Sequence, residues 1–167
     1  PIPRRQRQMC IRDSHLAAGS HVDRSIKFPT EFVLDNVLGT AHILNYAKEC
    51  KSLERFAYFS TDEVFGPAPQ GIYFKEYDRY NSTNPYSASK AGAEELVVAY
   101  QNTYGIPSFI THTMNVFGER QNIEKYIPMV IKKTRDNELV TVHADANRKV
   151  AGSRHYIPVS YTHLRAH

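Results

Sequence analysis

The chain is short of cysteine, of long apolar runs and of net charge, and each shortage removes a class of protein. Only Cys10 and Cys50 occur among the 167 residues. Cys10 falls in a terminal stretch set aside below, which leaves Cys50 without an internal partner. A disulfide scaffold is excluded on that reading, and a reducing compartment, the cytoplasm, is expected. No apolar run approaches the roughly 18 to 20 residues that cross a bilayer, and no signal-peptide pattern occurs, so membrane insertion is not expected. No repeat or low-complexity segment is present. His112, His143 and His155 lack metal-ligand spacing and read as ordinary polar or partly buried histidines, so no metal is expected.

The formal charge of +4 belongs to the ends. The simplest codons for Met9, Cys10, Ile11, Arg12 and Asp13 are ATG TGT ATA AGA GAC. Their reverse complement, GTC TCT TAT ACA CAT, translates as Val159, Ser160, Tyr161, Thr162 and His163 in order. An inverted repeat of this kind resembles a translated transposon-end sequencing adapter, and "RRQRQMCIRDS" and "VSYTHLRAH" fit the same origin. Residues 1–14 and 158–167 are therefore expected to be adapter-derived and are set aside from fold reasoning. The competing reading is a basic N-terminal arm that binds nucleic acid. Five of the 21 basic residues and one of the 17 acidic residues lie in these tails, so residues 15–157 hold 16 of each. A neutral stretch gives no electrostatic reason for a nucleic-acid partner. Its 143 residues suffice for one core.

Within 15–157, strands and helices alternate. "HLAAGS" reads as the last part of a strand ending at Gly19 and Ser20. Phe32, Val33, Val37, Leu38, Ala41, Leu44 and Ala47 recur at helical spacing from Pro29 to about Cys50. Arg55–Ser60 reads as a strand, "FGPAPQG" as a turn-rich loop, and Asn84–Tyr104 as a helix stopped by "YGIP". A strand at Ser108–Thr113, a helix at Glu124–Asp136 with Pro128 disturbing its first turns, and a short strand at Leu139–His143 follow. Strands separated by helices of this length imply right-handed crossovers and a parallel sheet.

In such a sheet, ligands sit beyond the carboxyl ends of the strands. Gly19 and Ser20, Ser60 to Glu63, and Asn115 all fall there. Each alone could be an ordinary polar strand exit, but three meeting on one edge are more than that. In "NPYSASKAGAEEL", Tyr86 and Lys90 are four apart and share one helix face. An ammonium near a phenol favours the phenolate, which suits Tyr86 to act as a general base toward a hydroxyl. In "STDEVFG", Asp62 and Glu63 follow directly on a buried-looking strand. Two adjacent carboxylates can divide acid and base work because one can hold a proton while the other is ionised.

These segments, with "HLAAGSHVDRSI", "NVLGTAHIL", "NVFGERQ" and "EKYIP", resemble the extended short-chain dehydrogenase/reductases, and among them the nucleotide-diphosphate-glucose 4,6-dehydratases. The resemblance implies an α/β fold: a fragment of a Rossmann-like doubly wound parallel sheet, lacking the N-terminal Gly-rich βαβ unit and the C-terminal substrate region. It implies NAD as cofactor and a nucleotide-diphospho-sugar as substrate. It assigns Thr61, Tyr86 and Lys90 to oxidation at carbon 4, Glu63 to removal of the carbon 5 proton, and Asp62 to protonation of the departing carbon 6 hydroxyl. Leu16, Ala17, Ala18, Ser20, Tyr86 and Lys90 match cofactor positions. Ser20, Thr61, Asn115, Lys125, Tyr126 and Arg154 match substrate positions. A homodimer through the helices at 29–50 and 84–104 is implied as well.

Gly19 stands where many of these dehydratases have Glu, and Val116 where many have a second Asn. The Gly-rich dinucleotide fingerprint and its acidic ribose-binding residue are absent, so the 167 residues alone are expected to be inactive. The alternatives are an epimerase or decarboxylase of the same fold, against which the Asp62–Glu63 pair argues, and a non-catalytic nucleotide-sugar-binding relative.

Overall fold

The computed structural model describes residues 12–69, 71–142, 144, 147, 149, 151–152 and 156–158. The chain divides into two compact units between Thr113 and Met114. In the first unit, β1 (Arg12–His15), β2 (Arg55–Thr61) and β3 (Ser108–Thr113) form a parallel sheet in the order β1-β2-β3. The β1-to-β2 crossover carries α1 (Val22–Lys27), α2 (Pro29–Phe32), a π-helical turn (Val33–Leu38) and α3 (Gly39–Glu49). The β2-to-β3 crossover carries a 3-10 turn (Asp62–Phe65) and α4 (Pro85–Tyr104).

Strand β2 is central and mostly apolar, as expected of a strand paired on both edges. Phe56 and Tyr58, two apart and so on one face, meet Leu44 and Ala47 of α3 and Ala93 and Val97 of α4, with Ile106 closing the cluster. Fully burying a side chain such as Phe56 or Leu44 contributes about 1.5–3 kcal/mol. The sequence specifies both ends of α4. Asn84 and Ser87 form a reciprocal capping box, Pro85 occupies the first turn, and Gly105 stops the helix in the left-handed region at φ 70°.

Three expectations are corrected. The first strand ends at His15, and residues 16–20 form an exposed, irregular segment in which Leu16 is 62% accessible. Parallel pairing with β2 runs through Arg12 to His15. The helix expected from Pro29 to Cys50 is interrupted by the π turn, which buries Asn36 in place of an apolar residue. No strand forms over residues 139–142, where Leu139 and Val142 stay exposed and so offset none of the entropy cost of ordering the segment; His143 lies outside the described residues.

In the second unit, β4 (Asn115–Phe117) pairs in parallel with β5 (Tyr156–Pro158), and α5 (Tyr126–Arg135) lies between them in the chain. Because α5 starts at Tyr126, Pro128 falls in its first turn, where its missing N–H is not needed. β1 takes in Arg12–Ser14 and β5 takes in Pro158, all within the stretches set aside as adapter-derived. Backbone pairing accepts almost any side chain, so these strands carry no information on the origin of those codons.

Candidate active site

The carboxyl end of β2 runs into the 3-10 turn, and α4 packs against both. Thr61 is the hinge. It is buried and extended, its hydroxyl accepts from Glu63 N at 3.3 Å, and it donates to Asp62 Oδ1 at 3.2 Å. Asp62 and Glu63 are half-buried. Asn84, the cap of α4, donates through Nδ2 to Glu63 Oε2 at 3.4 Å, which ties the turn to the start of the helix. The turn closes at Gly66, whose φ is +75° and where a Cβ would lie 2.4 Å from the Asn81 carbonyl oxygen. Only glycine fits there, and Asn81 N returns a hydrogen bond to Val64 O at 2.9 Å.

Tyr86 and Lys90 lie one turn apart on α4. Tyr86 N donates to the buried Ser25 hydroxyl at 3.1 Å, and the Tyr86 ring meets Phe32 edge-on at 6.4 Å between centroids. Lys90 is 3% accessible. Its ammonium donates to Phe59 O at 2.7 Å and lies 4.3 Å from the centroid of the Tyr58 ring. Burial pushes its pKa down from 10.5 to about 8, and the charge of Glu94 opposes that shift. Beneath Lys90, the Tyr58 hydroxyl is buried without a well-formed hydrogen bond, and burial pushes its ionisation up. Desolvation, with the Lys90 charge nearby, holds His15 below the usual histidine range.

Asn36 belongs to this site, although the helical pattern hid it. Its amide is 1% accessible. It accepts from Gly19 N at 2.7 Å and donates to Gly19 O at 3.1 Å and to Ser89 Oγ at 2.8 Å. It thereby clamps the backbone beyond β1 to α4. The available signal was a polar pair, Asn36 and Thr40, on the same stripe as Phe32 and Leu44. A π turn inserts the extra residue that turns such a side chain inward, and such turns are frequent at functional sites. A side chain at Gly19 would press on the Phe32 ring, 3.1 Å from its nearest atom, so glycine there is matched to that aromatic.

The structure therefore brings Thr61, Asp62, Glu63, Tyr86 and Lys90 into one neighbourhood formed by the β2 exit and α4. Leu16, Ala17, Ala18 and Ser20 lie on the segment beyond β1. Asn115 opens β4, Lys125 caps α5 and Tyr126 begins it, all in the second unit. Arg154 and His155 lie outside the described residues. Phe117, Arg120, Ile127, Ile131 and Lys132 line a groove within the second unit.

A parallel sheet with α-helical crossovers, a polar edge at its carboxyl ends and a buried Lys one turn beyond a Tyr fit the Rossmann-like short-chain dehydrogenase/reductase that the sequence resembles. The chain belongs to the family described as GDP-mannose 4,6 dehydratase, whose model matches residues 12–162. It is 44% identical over 133 residues to the low-salt glycan biosynthesis protein Agl12 of Haloferax volcanii, covering 80% of this chain and 42% of that protein. It is 37% identical over 151 residues to the dTDP-glucose 4,6-dehydratase of Escherichia coli, with the same coverage. Among solved structures, DesIV, a dTDP-glucose 4,6-dehydratase from Streptomyces venezuelae with NAD and TYD bound, superposes with a TM-score of 0.81 at 34% identity. That match covers 89% of this chain and 44% of DesIV. The chain thus spans less than half the length of these relatives.

Proposed function

We propose that the protein carrying this chain converts a nucleotide-diphospho-glucose to its 4-keto-6-deoxy sugar with NAD as the internal redox cofactor. The observation that carries this reading is the Asp62–Glu63 pair at the exit of β2, tied by Asn84 to the helix that bears Tyr86 and Lys90. Removing water across two neighbouring carbons needs a base for one proton and an acid for the departing hydroxyl. Adjacent residues leaving a strand point in different directions and can serve two carbons.

The residues present suit the nicotinamide-riboside end of the cofactor. The Lys90 ammonium has three donors and spends one on Phe59 O, which leaves donors for ribose hydroxyls. The backbone of Leu16, Ala17 and Ala18, with Ser20, would line the same strand edge, held at Gly19 by Asn36. A bound NAD supplies the hydride acceptor at carbon 4 and the hydride donor at carbon 6. Tyr86, with Lys90 beside it, takes the carbon 4 hydroxyl proton, and Thr61 orients that hydroxyl. Glu63 takes the carbon 5 proton and Asp62 gives one to the leaving carbon 6 oxygen. Asn115, Lys125, Tyr126 and Arg154 are assigned to the nucleotide-sugar. Lys90 is mostly cationic only below about pH 8, so turnover that needs its charge declines above that pH.

A homodimer is part of the same reading, supported by the exposed Val33, Leu34, Leu38, Ile43, Tyr46 and Val98 on the helical segments 29–49 and 85–104. A complete protein that sediments as a monomer would refute it. A cytoplasmic setting without nucleic-acid or membrane partners is included too. It is supported by the balanced charge of 15–157 and by the finding that no helix among the described residues is long and apolar enough to cross a membrane. Recovery in the membrane fraction of cells would contradict it.

The decisive experiment is Glu63→Gln in the complete enzyme, assayed with dTDP-glucose and UDP-glucose in deuterated water. The parent should form 4-keto-6-deoxy product and take up deuterium at carbon 5. The variant should lose both by about a hundred- to ten-thousand-fold, the usual worth of a positioned base. A carbon 4 epimer as the parent's product would reject the reading, and near-parental turnover by the variant would reject Glu63 as the base.

A further inference from the structure

Glu94 and Glu95 are neighbours in sequence with opposite fates. Glu95 faces solvent, whereas Glu94 is 0% accessible. Burying a carboxylate is expensive unless several donors replace its water. Glu94 has them from three separate elements. Ser60 of β2 donates to Oε1, Tyr80 of the loop after the 3-10 turn donates to Oε2, and His112 Nε2 of β3 lies 2.9 Å from Oε2. Rings brace the same point: Phe65 packs on His112 at 4.7 Å and on Tyr80 at 5.3 Å.

Two of the three partners lead to the candidate site. Ser60 immediately precedes Thr61, Asp62 and Glu63. Tyr80 immediately precedes Asn81, which closes the 3-10 turn at Val64, and lies four residues before Asn84, which reaches Glu63. Glu94 itself stands one turn beyond Lys90 and two beyond Tyr86, on their face of α4. We propose that Glu94 is a positioning residue for the reaction, a buried carboxylate that locks the strand exit and loop carrying Thr61, Asp62, Glu63 and Asn84 onto the helix carrying Tyr86 and Lys90.

The proposal rests on the dehydratase reading for its kinetic part. Lys90 is desolvated, and Glu94 opposes the resulting loss of its proton. Other titratable groups around the pair are His15 from β1, Tyr58 from β2, Tyr80 from the loop and His112 from β3. The 3-10 turn packed against α4 adds Asp62 and Glu63, and α4 itself adds Tyr86 and Glu95. On α1, α2, the π turn and α3, which also pack against α4, the charged residues, Lys27 and Lys48 included, are all exposed, so neutralising Glu94 removes a favourable partner from Lys90 and moves its deprotonation to lower pH.

The test uses Glu94→Gln, Glu94→Asp and Tyr80→Phe in the complete protein. Glu94→Gln should lower kcat by about tenfold to a hundredfold, the scale of a small misplacement of reacting groups, with KM near parental. The alkaline limb of its pH profile should move to lower pH, and so should the Lys90 ammonium midpoint measured by NMR without substrate. Glu94→Asp should restore part of kcat and the parental limb, which a merely structural role would not produce. Tyr80→Phe, which removes one donor, should lower kcat by a smaller factor. A folded Glu94→Gln with parental kcat and pH profile, or with a raised KM alone, overturns the proposal. If Glu94→Gln does not fold, parental kcat in Tyr80→Phe overturns it instead. If the parent makes no 4-keto-6-deoxy sugar, the dehydratase reading fails separately. The substrate-free Lys90 midpoint then still decides, and an unchanged value in Glu94→Gln rejects the proposed electrostatic role.

Discussion

Helices α4 and α5 both follow a strand, and both carry residues proposed for binding or chemistry, yet they are held in opposite ways. α4 is capped at both ends and buries Ser87, Ser89, Lys90, Ala93, Glu94 and Val97, so its polar groups are fixed by partners on other elements. α5 has no side-chain cap at Lys125 and buries no residue. One helix is fixed by buried polar contacts with other elements, and the other is nowhere more than half-buried. Chemistry that needs a position held to within a fraction of an ångström belongs on the first kind.

The two helices should differ most in the residues packed beneath them. Phe56→Ala, under α4, should cost about 3–5 kcal/mol of unfolding free energy, whereas Ile131→Ala on α5, where the residue is 63% accessible, should change stability by less than about 0.5 kcal/mol. Denaturant melts of both variants check this, and equal losses would refute the contrast. A middle-sized effect is expected at Asn36, whose removal leaves Gly19 and Ser89 without their partner. Asn36→Ala should cost about 2 kcal/mol, the scale of buried polar groups left unsatisfied, and should speed amide exchange at Gly19. Exchange at the parental rate would show that the clamp is not needed. The smallest effects sharpen the difference at the caps. Asn84→Ala should destabilise by about 1 kcal/mol, and Lys125→Asn, which adds a cap to α5, should stabilise by a few tenths to about 1 kcal/mol. Thermal unfolding of the two variants should therefore move in opposite directions.

Several elements were legible in the sequence because short-range rules decide them. The β3 strand matches its expected bounds, Ser108–Thr113, and β2 differs by one residue. The helix expected from Asn84 to Tyr104 forms from Pro85 with Asn84 as its cap, because the capping box, Pro85 and Gly105 all act locally. Other elements were missed where two or more segments compete. A 3.6-residue period cannot reveal the π turn at Val33–Leu38, which is stabilised only once Asn36 finds Gly19 and Ser89. Strand β5 at Tyr156–Pro158 was missed because it depends on pairing with β4.

The sequence by itself determined the family, the parallel α/β plan and the chemical identity of the candidate groups Thr61, Asp62, Glu63, Tyr86 and Lys90, because these rest on residue type and on spacing along the chain. It could not tell Glu94 from Glu95, or Asn36 from any polar residue on a helix. Side-chain burial depends on which atoms arrive from β2, β3 and the 66–84 loop, and those contacts exist only when distant segments are brought together. The tertiary structure alone decided which carboxylate loses its water, which lysine is held near pH 8, and which amide clamps the strand edge.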